Sequence, residues 1–438
     1  MICSKLSPSL WLGLVLFCLL AACDNTKTRS PVPSVAKVSA LPAKPSYGAE
    51  VKQIDAAIER GIAFAAKPAG SAVISLEVVA LYQERARLTG NYDDYAKAEA
   101  LLASLAGPKP SASFCLAQAR LYYTLHRLKQ AGAALDSCPT SVEPTETASI
   151  RADLALYSGR YRVAESIYRA LVNGSGTFSN YVRLGLLKKW LGSPGEAAAL
   201  LEAAEKRYHG GAPVMIAWLK LQRGLVALDR GRFDEALAMY RLASDALDGW
   251  WLIDEHIAEA LLLSGKTREA RQLYENIIER TGNPEFMDAL AAIEREAGRE
   301  EHAKKLTLKA RAIYEQRLVA FPEAAAGHAL DHFLQDQADA KFALVLAQKN
   351  FETRPYGESA IALAKAWMLS GKPDRTVPLM EAQLAGGWDT AQIYWLLGLA
   401  LHKLGQPQRA EHARAEALRR NPHSEKMYAY APRTGRAP

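Results

Sequence analysis

The sequence predicts an all-α chain of stacked helical hairpins, and three observations carry that expectation. From about Ala49 onward it is rich in Ala and Leu, with no alternating β-branched run long enough for a sheet. Ala131, Ala164, Ala197, Ala236, Ala270, Ala303, Ala343 and Ala410 recur at intervals of 33 to 40 residues, once Thr376 is given the one missing place. Five positions before these stands a glycine, as in Gly159, Gly192, Gly231, Gly265, Gly298, Gly371 and Gly405, and twelve before stands Ala or Gly, as in Ala152, Gly185, Gly224 and Ala258.

The first element, residues 1–22, reads as a segment that does not enter the fold. Met1 to Lys5 is a short, weakly basic start, and Leu6 to Leu20 is apolar apart from Ser7 and Ser9. Small residues then lead to Cys23, the layout of a secretory signal and too short for a comfortable membrane span. The stretch Leu20-Ala21-Ala22-Cys23 resembles the lipobox of bacterial lipoproteins. That resemblance implies cleavage before Cys23, acylation (palmitate among the chains) of its thiol and new amino group, and a mature protein held on a membrane, since stable anchoring takes more than one acyl chain. Asp24 resembles the signal that retains lipoproteins at the inner membrane in enteric bacteria, so the periplasmic side of the inner membrane is expected and the outer membrane is the alternative.

Residues 23–48 read as a tether. Pro31, Pro33, Pro42 and Pro45 lie among Ser, Thr and Lys with almost no large apolar residue, too little to offset the entropy of ordering. The helical body follows over 49–422, opening with a capping helix over Val51 to Ala66. A degenerate unit with Gly90, Tyr92 and Ala96 comes next, Tyr95 reading as an insertion, and nine units in near register fill about 112 to 422. The basic tail is 423–438.

Charge placement limits the partners. The 438 residues carry a formal +7 and 23% charged residues. Lys5 leaves with the signal. Lys27, Arg29, Lys37 and Lys44 face only Asp24 in the tether, and Lys426, Arg433 and Arg436 face only Glu425 in the tail, so the body is close to neutral. A near-neutral body is poor evidence for a phosphate-binding surface, and no nucleic-acid partner is expected.

The hairpin pattern resembles the tetratricopeptide repeat, a helix–turn–helix unit of about 34 residues. Two antiparallel helices approach closely only where small residues face each other, which accounts for Ala or Gly in the first helix opposite Ala in the second. An aromatic four positions on, as in Tyr168, Tyr240 and Tyr274, fills the gap to the next unit. Two units depart from the pattern and are expected to pack less regularly: His126 stands at a turn, and Asp331 at a small-residue position. Extra length before Ala236 and Ala343 predicts longer helices or a loop.

Three constellations bear on chemistry. Ser264-Gly265-Lys266-Thr267 looks like the end of a phosphate-binding loop, but Ala260 stands where the motif needs glycine and no strand precedes it, so a nucleotide site is set aside. Cys115, early in one helix, and Cys138, late in its antiparallel partner, should bring their sulfurs together in an exported protein. Such a disulfide is worth about 3 kcal/mol at most; two buried free thiols are the alternative. The third is a patch. In the tetratricopeptide family the inner, ligand-facing surface comes from fixed positions of the first helix, and the resemblance carries these onto Glu255 and Glu259, Asp288 and Arg295, and His328 and His332. Glu255/Glu259 and His328/His332 are each spaced to share one helical face. Trp250 and Trp251 could line the edge of that groove, while His302 and His412 are expected to be lone and exposed.

No catalytic motif or resident cofactor is expected, and the reading is of no enzyme. Repeat solenoids offer a long concave surface. The expectation is a membrane-anchored envelope scaffold that binds an exported protein or peptide in its groove, serving assembly of an envelope or secretion complex. The alternative is a periplasmic small-ligand or metal-binding protein using the acidic and histidine patch.

Overall fold

The computed structural model describes residues 45–67, 71–107, 111–139, 144–335 and 339–428. The signal, Cys23, nearly all of the tether and the tail beyond Tyr428 lie outside the described residues.

The described residues form 22 helices and, beyond one isolated bridge at Ser46 and Asp248, no β-structure. Helix α1 (Tyr47–Ala65) caps the stack, beginning ahead of the expected Val51 because Ser46 Oγ accepts from the Ala49 amide at 3.3 Å. Ten hairpins follow: α2 (Ala72–Thr89) with α3 (Asp93–Ser104), α4 (Ala112–Thr124) with α5 (Leu128–Asp136), α6 (Pro144–Tyr157) with α7 (Tyr161–Gly174), α8 (Phe178–Trp190) with α9 (Pro194–Arg207), and α10 (Pro213–Asp229) with α11 (Phe233–Ala246). The second five are α12 (Trp251–Leu263) with α13 (Thr267–Thr281), α14 (Pro284–Glu296) with α15 (Glu300–Ala320), α16 (Pro322–Phe333) with α17 (Ala340–Thr353), α18 (Gly357–Leu369) with α19 (Pro373–Gly386), and α20 (Ala391–Lys403) with α21 (Pro407–Arg420). A short α22 (Ser424–Tyr428) ends the description. This is a tetratricopeptide-type solenoid.

The sequence places the helix ends. Ser71, Ser111 and Thr177 each accept an amide hydrogen of the first turn, while Pro194, Pro213, Pro284, Pro322, Pro373 and Pro407 occupy first helical positions, where no amide hydrogen is needed. At the hairpin turns the amide after the left-handed residue reaches back to close the preceding helix. Arg160 donates to Ala155 O at 2.8 Å, and the same bond recurs from Arg127, Ser193, Arg232, Lys266, Arg299, Lys372 and Gln406. His126 makes the turn of its hairpin with φ 59°, the one non-glycine residue in that region among those described. The expected irregularity is therefore absent at this turn, because the imidazole is buried against Tyr157, 5.6 Å away, and packing holds the strained backbone.

Facing small residues behave as their spacing implies. A Cβ on Gly224 would fall 2.3 Å from the Tyr240 ring and 3.2 Å from Ala236 O. Thr376, in the place of the missing alanine, is fully buried and donates through Oγ1 to Ala364 O at 3.3 Å. The extra length appears as a 17-residue α10 and a 21-residue α15. Cys115 and Cys138 are joined, with sulfurs 2.06 Å apart across α4 and the end of α5. Gly265 is a hairpin turn with φ 82°, beside an exposed Lys266.

The superhelix meets itself, which its periodicity does not foretell. The turn of the second hairpin meets the start of the eighth, where Arg127 lies 3.7 Å from Glu323. The third meets the ninth, with the rings of Tyr157 and Tyr356 4.8 Å apart, and the fourth meets the tenth, with Trp190 and Trp388 stacked at 6.0 Å. The fifth meets α22, where Phe233 stacks on His423 at 4.6 Å. Tyr161 Oη donates to Gln383 Oε1 at 2.8 Å, and Tyr47 pairs through its amide with Asp248 O at 2.9 Å. Successive turns of the solenoid thus lie edge to edge, and the first helices of the hairpins face a common interior.

Candidate partner-binding interior

The interior takes its chemistry from the inner faces of α12, α14, α16 and α18. On α12, Glu255 and Glu259 flank His256, whose Nδ1 lies 3.1 Å from Glu255 Oε2 and 3.3 Å from Glu259 Oε2. The His256 ring stacks on Tyr240, 5.6 Å away. Between α14 and α16 two histidine–carboxylate contacts bridge neighbouring hairpins. His328 Nδ1 lies 2.9 Å from Glu285 Oε1, and His332 Nδ1 lies 2.9 Å from both carboxylate oxygens of Asp288. The i, i+4 spacing of the histidines sets them on one face, where α14 offers two acids one turn apart.

These groups are largely out of water. Glu259, Asp288, His328 and His332 are buried, and Glu255 and Arg295 are half-buried. Arg295 turns toward α15, donating to Thr307 Oγ1 at 3.2 Å. Burial penalises the charged form of a carboxyl. It lifts Glu255 to about 8, with Glu259 and Glu285 adding like-charge repulsion and His256 opposing. Burial also lifts Asp331 to about 7 against the pull of Lys365, and Glu358 to about 7 against Lys189 and Lys365. Burial works against the imidazolium of His256, but Glu255 and Glu259 outweigh it and the net shift is upward.

The six groove residues therefore include two contact sets, Glu255 with Glu259 through His256, and Asp288 with His332, while His328 joins Glu285 and Arg295 donates to Thr307. The positions carried over from the resemblance do not include His256, Glu285, Glu358 and Lys365, and Asp331 reads only as a departure at a small-residue position, although each lies within one turn of, or one repeat from, a residue that is included. Trp250 and Trp251 are buried, Trp250 lining a small pocket with Glu50, Glu84 and Arg87. Each is 1% exposed, Trp251 packing on Phe286 at 5.7 Å and donating to Leu88 O at 2.9 Å, so both serve the core. His302 and His412 are both exposed, as expected, but His302 is not lone, its Nδ1 lying 3.2 Å from Glu294.

A second buried polar knot was also missed. Tyr168 Oη donates to Asp153 Oδ1 at 2.5 Å, and Arg183 Nε lies 3.3 Å from the same oxygen, joining the third hairpin to the fourth.

Fold and interior together define a helical-repeat solenoid of the tetratricopeptide type with a histidine- and carboxylate-lined inner face. Neither a protein-family model nor a curated protein matches the sequence. Among solved structures, a chain of the APC/C hetero-tetramer Cut9–Hcn1 is similar at 15% identity and TM-score 0.42, over 81% of this chain and 61% of that one. The chain thus spans about three-fifths of the length of that relative. The human IFIT1 dimer with PPP-AAAA is similar at 13% identity and TM-score 0.38, over 84% and 94% of the two chains. PilF of Pseudomonas aeruginosa is similar at 16% identity and TM-score 0.38, over 46% and 90%. Likeness at this level carries no function across.

Proposed function

We propose that this chain is a membrane-anchored scaffold of the bacterial envelope, tethered through lipid on Cys23, whose inner face receives a cationic or polar segment of an exported protein during assembly of an envelope or secretion complex. The observation that carries the reading is the convergence of Glu255, Glu259, Glu285, Asp288, Asp331 and Glu358 from four consecutive hairpins. Buried carboxylates cost stability unless a positive or hydrogen-bonding group meets them. The cysteine pair suits an oxidising compartment, and the Leu20–Cys23 stretch supports the anchor, with Asp24 favouring the inner membrane over the outer.

Two measurements in cells test this. Cys23→Ser should move the protein from the membrane to the soluble fraction and abolish incorporation of labelled palmitate; a variant that stays membrane-bound defeats the anchor. A photo-crosslinker at Arg295 should capture a defined exported partner, and Glu255→Lys with Glu259→Lys should lower that capture at least tenfold. Undiminished capture would move the contact off the inner face.

A second reading, metal binding, has one specific observation in its favour: Glu255, His256 and Glu259 each offer a ligand atom, all within 4.8 Å of one another. Two carboxylates and an imidazole suit zinc. Calorimetric titration with zinc should then give saturable heat that His256→Ala removes, and absence of heat ends this reading.

A further inference from the structure

We propose that the inner face is occupied in the resting protein by the chain's own segment 429–438, which a partner must displace. This rests on the reading above, that the interior receives a cationic segment, and it names the first occupant.

The described chain ends in α22, which is packed against other hairpins and has its last residue half-buried. After α21 the backbone turns at Asn421, whose Nδ2 donates to Asp229 O at 3.1 Å, and Ser424 Oγ donates to Ala417 O at 2.9 Å. Lys426 Nζ donates to Leu263 O at the end of α12, and Met427 is 2% exposed. These contacts carry α22 across the ends of α10 and α12. The Tyr428 hydroxyl then comes within the electrostatic reach of Asp229, Glu358 and Glu259, acids from three different hairpins.

What lies there calls for positive charge. Glu358 is 8% exposed, and its Oε2 has no hydrogen-bond partner among the described residues. It shares its surroundings with Asp229 and Asp331 as well as Lys189 and Lys365. Beyond Tyr428 the sequence runs Ala-Tyr-Ala-Pro-Arg-Thr-Gly-Arg-Ala-Pro, with two arginines, no acid and one further aromatic. At about 3.3 Å per extended residue, Arg433 can reach about 16 Å from Tyr428 and Arg436 about 26 Å. A guanidinium fork is the side chain best suited to a buried carboxylate.

The test uses a chain ending at Tyr428 and a fluorescently labelled peptide of residues 429–438, read by anisotropy. The expected result is saturable binding to the shortened chain and at least tenfold weaker binding to the full chain, whose interior is already occupied. Arg433→Glu with Arg436→Glu in the peptide, or Glu358→Gln in the shortened chain, should weaken binding at least tenfold. No saturable binding to the shortened chain, or equal binding to both chains, overturns the proposal. If an unrelated arginine-rich peptide binds while the tail peptide does not, self-occupancy falls and the scaffold reading stands; if neither binds, both fall. Should the shortened chain fail to fold, hydrogen exchange on the full-length Arg433→Glu/Arg436→Glu variant replaces it. Protection in α12 and α18 should drop at least tenfold, and unchanged protection overturns the proposal.

Discussion

Gly192 and Asp389 meet where successive turns of the superhelix touch: a Cβ built on Gly192 would lie 1.9 Å from Asp389 O. Gly192 has φ 72° and ends the α8 hairpin turn, while Asp389 leads into α20. One glycine thus serves two purposes, a left-handed backbone and contact with a chain segment far along the sequence.

Gly265 separates the two effects, because it has φ 82° and open space where a Cβ would go. Gly265→Ala should cost about 1 kcal/mol, from left-handed strain alone. Gly192→Ala should cost about 2 kcal/mol more, since Asp389 must move aside. Urea unfolding of both variants checks this, and equal losses would mean that the edge-to-edge contact contributes nothing.

The Cys115–Cys138 bond closes one hairpin upon itself. Cys115→Ala with Cys138→Ala should lower stability by about 3 kcal/mol, mainly by freeing the unfolded chain. Thiol alkylation without reductant, followed by mass measurement, should leave the wild type unmodified at these two positions. Two alkylated thiols would refute the bond.

Asp153, Arg183 and Tyr168 form a polar knot at 2% exposure or less. Asp153→Ala leaves the Arg183 charge buried without this acid and should cost about 3 to 5 kcal/mol. Adding Arg183→Met should restore part of the loss. If the double variant is no more stable than Asp153→Ala, the cost lies in lost packing.

Much of the fold was legible because one hairpin's rule repeats. Ala164 opposite Ala152, Gly159 at the turn and Tyr168 in the gap state the same steric requirement, and later units repeat it in register. The closure was not legible, because Trp190 on Trp388 and Gly192 on Asp389 join residues whose separation reflects superhelical pitch, a sum of small rotations that no single unit encodes. The inner face was half legible. The tetratricopeptide resemblance gave Glu255, Glu259, Asp288, His328 and His332 a common side, yet the contacts of His328 with Glu285 and of His332 with Asp288 depend on how neighbouring hairpins stack and so stayed hidden. His256 was missed although Tyr240, Glu255 and Glu259, its partners, lie close in sequence, whereas Glu358 gains Lys189 and Asp229 as neighbours only once distant hairpins face it.

The raised carboxyls predict an unusual dependence of stability on pH. Glu255 faces His256, Glu259 and Glu285; Asp331 faces Lys365, Glu285, His328 and Asp288; Glu358 faces Lys189, Lys365, Asp229 and Asp331. Burial lifts all three, to about 8, 7 and 7, above the ordinary carboxyl values the unfolded chain retains. Between pH 4.5 and 8 the folded protein therefore holds protons that the unfolded chain has released. Stability from these groups is fully present below the unfolded values and is lost as pH rises through the folded ones, by about 1.4 kcal/mol per pH unit for each proton retained. His256, also raised, acts in the same direction. In the chain ending at Tyr428, urea midpoints should accordingly fall from pH 5.5 to pH 8.5, while Glu358→Gln with Asp331→Asn, which cannot ionise at these positions, should flatten the decline. A midpoint of that shortened chain that is level or rising over this range, or a double variant whose decline parallels it, would show that the interior acids do not retain their protons.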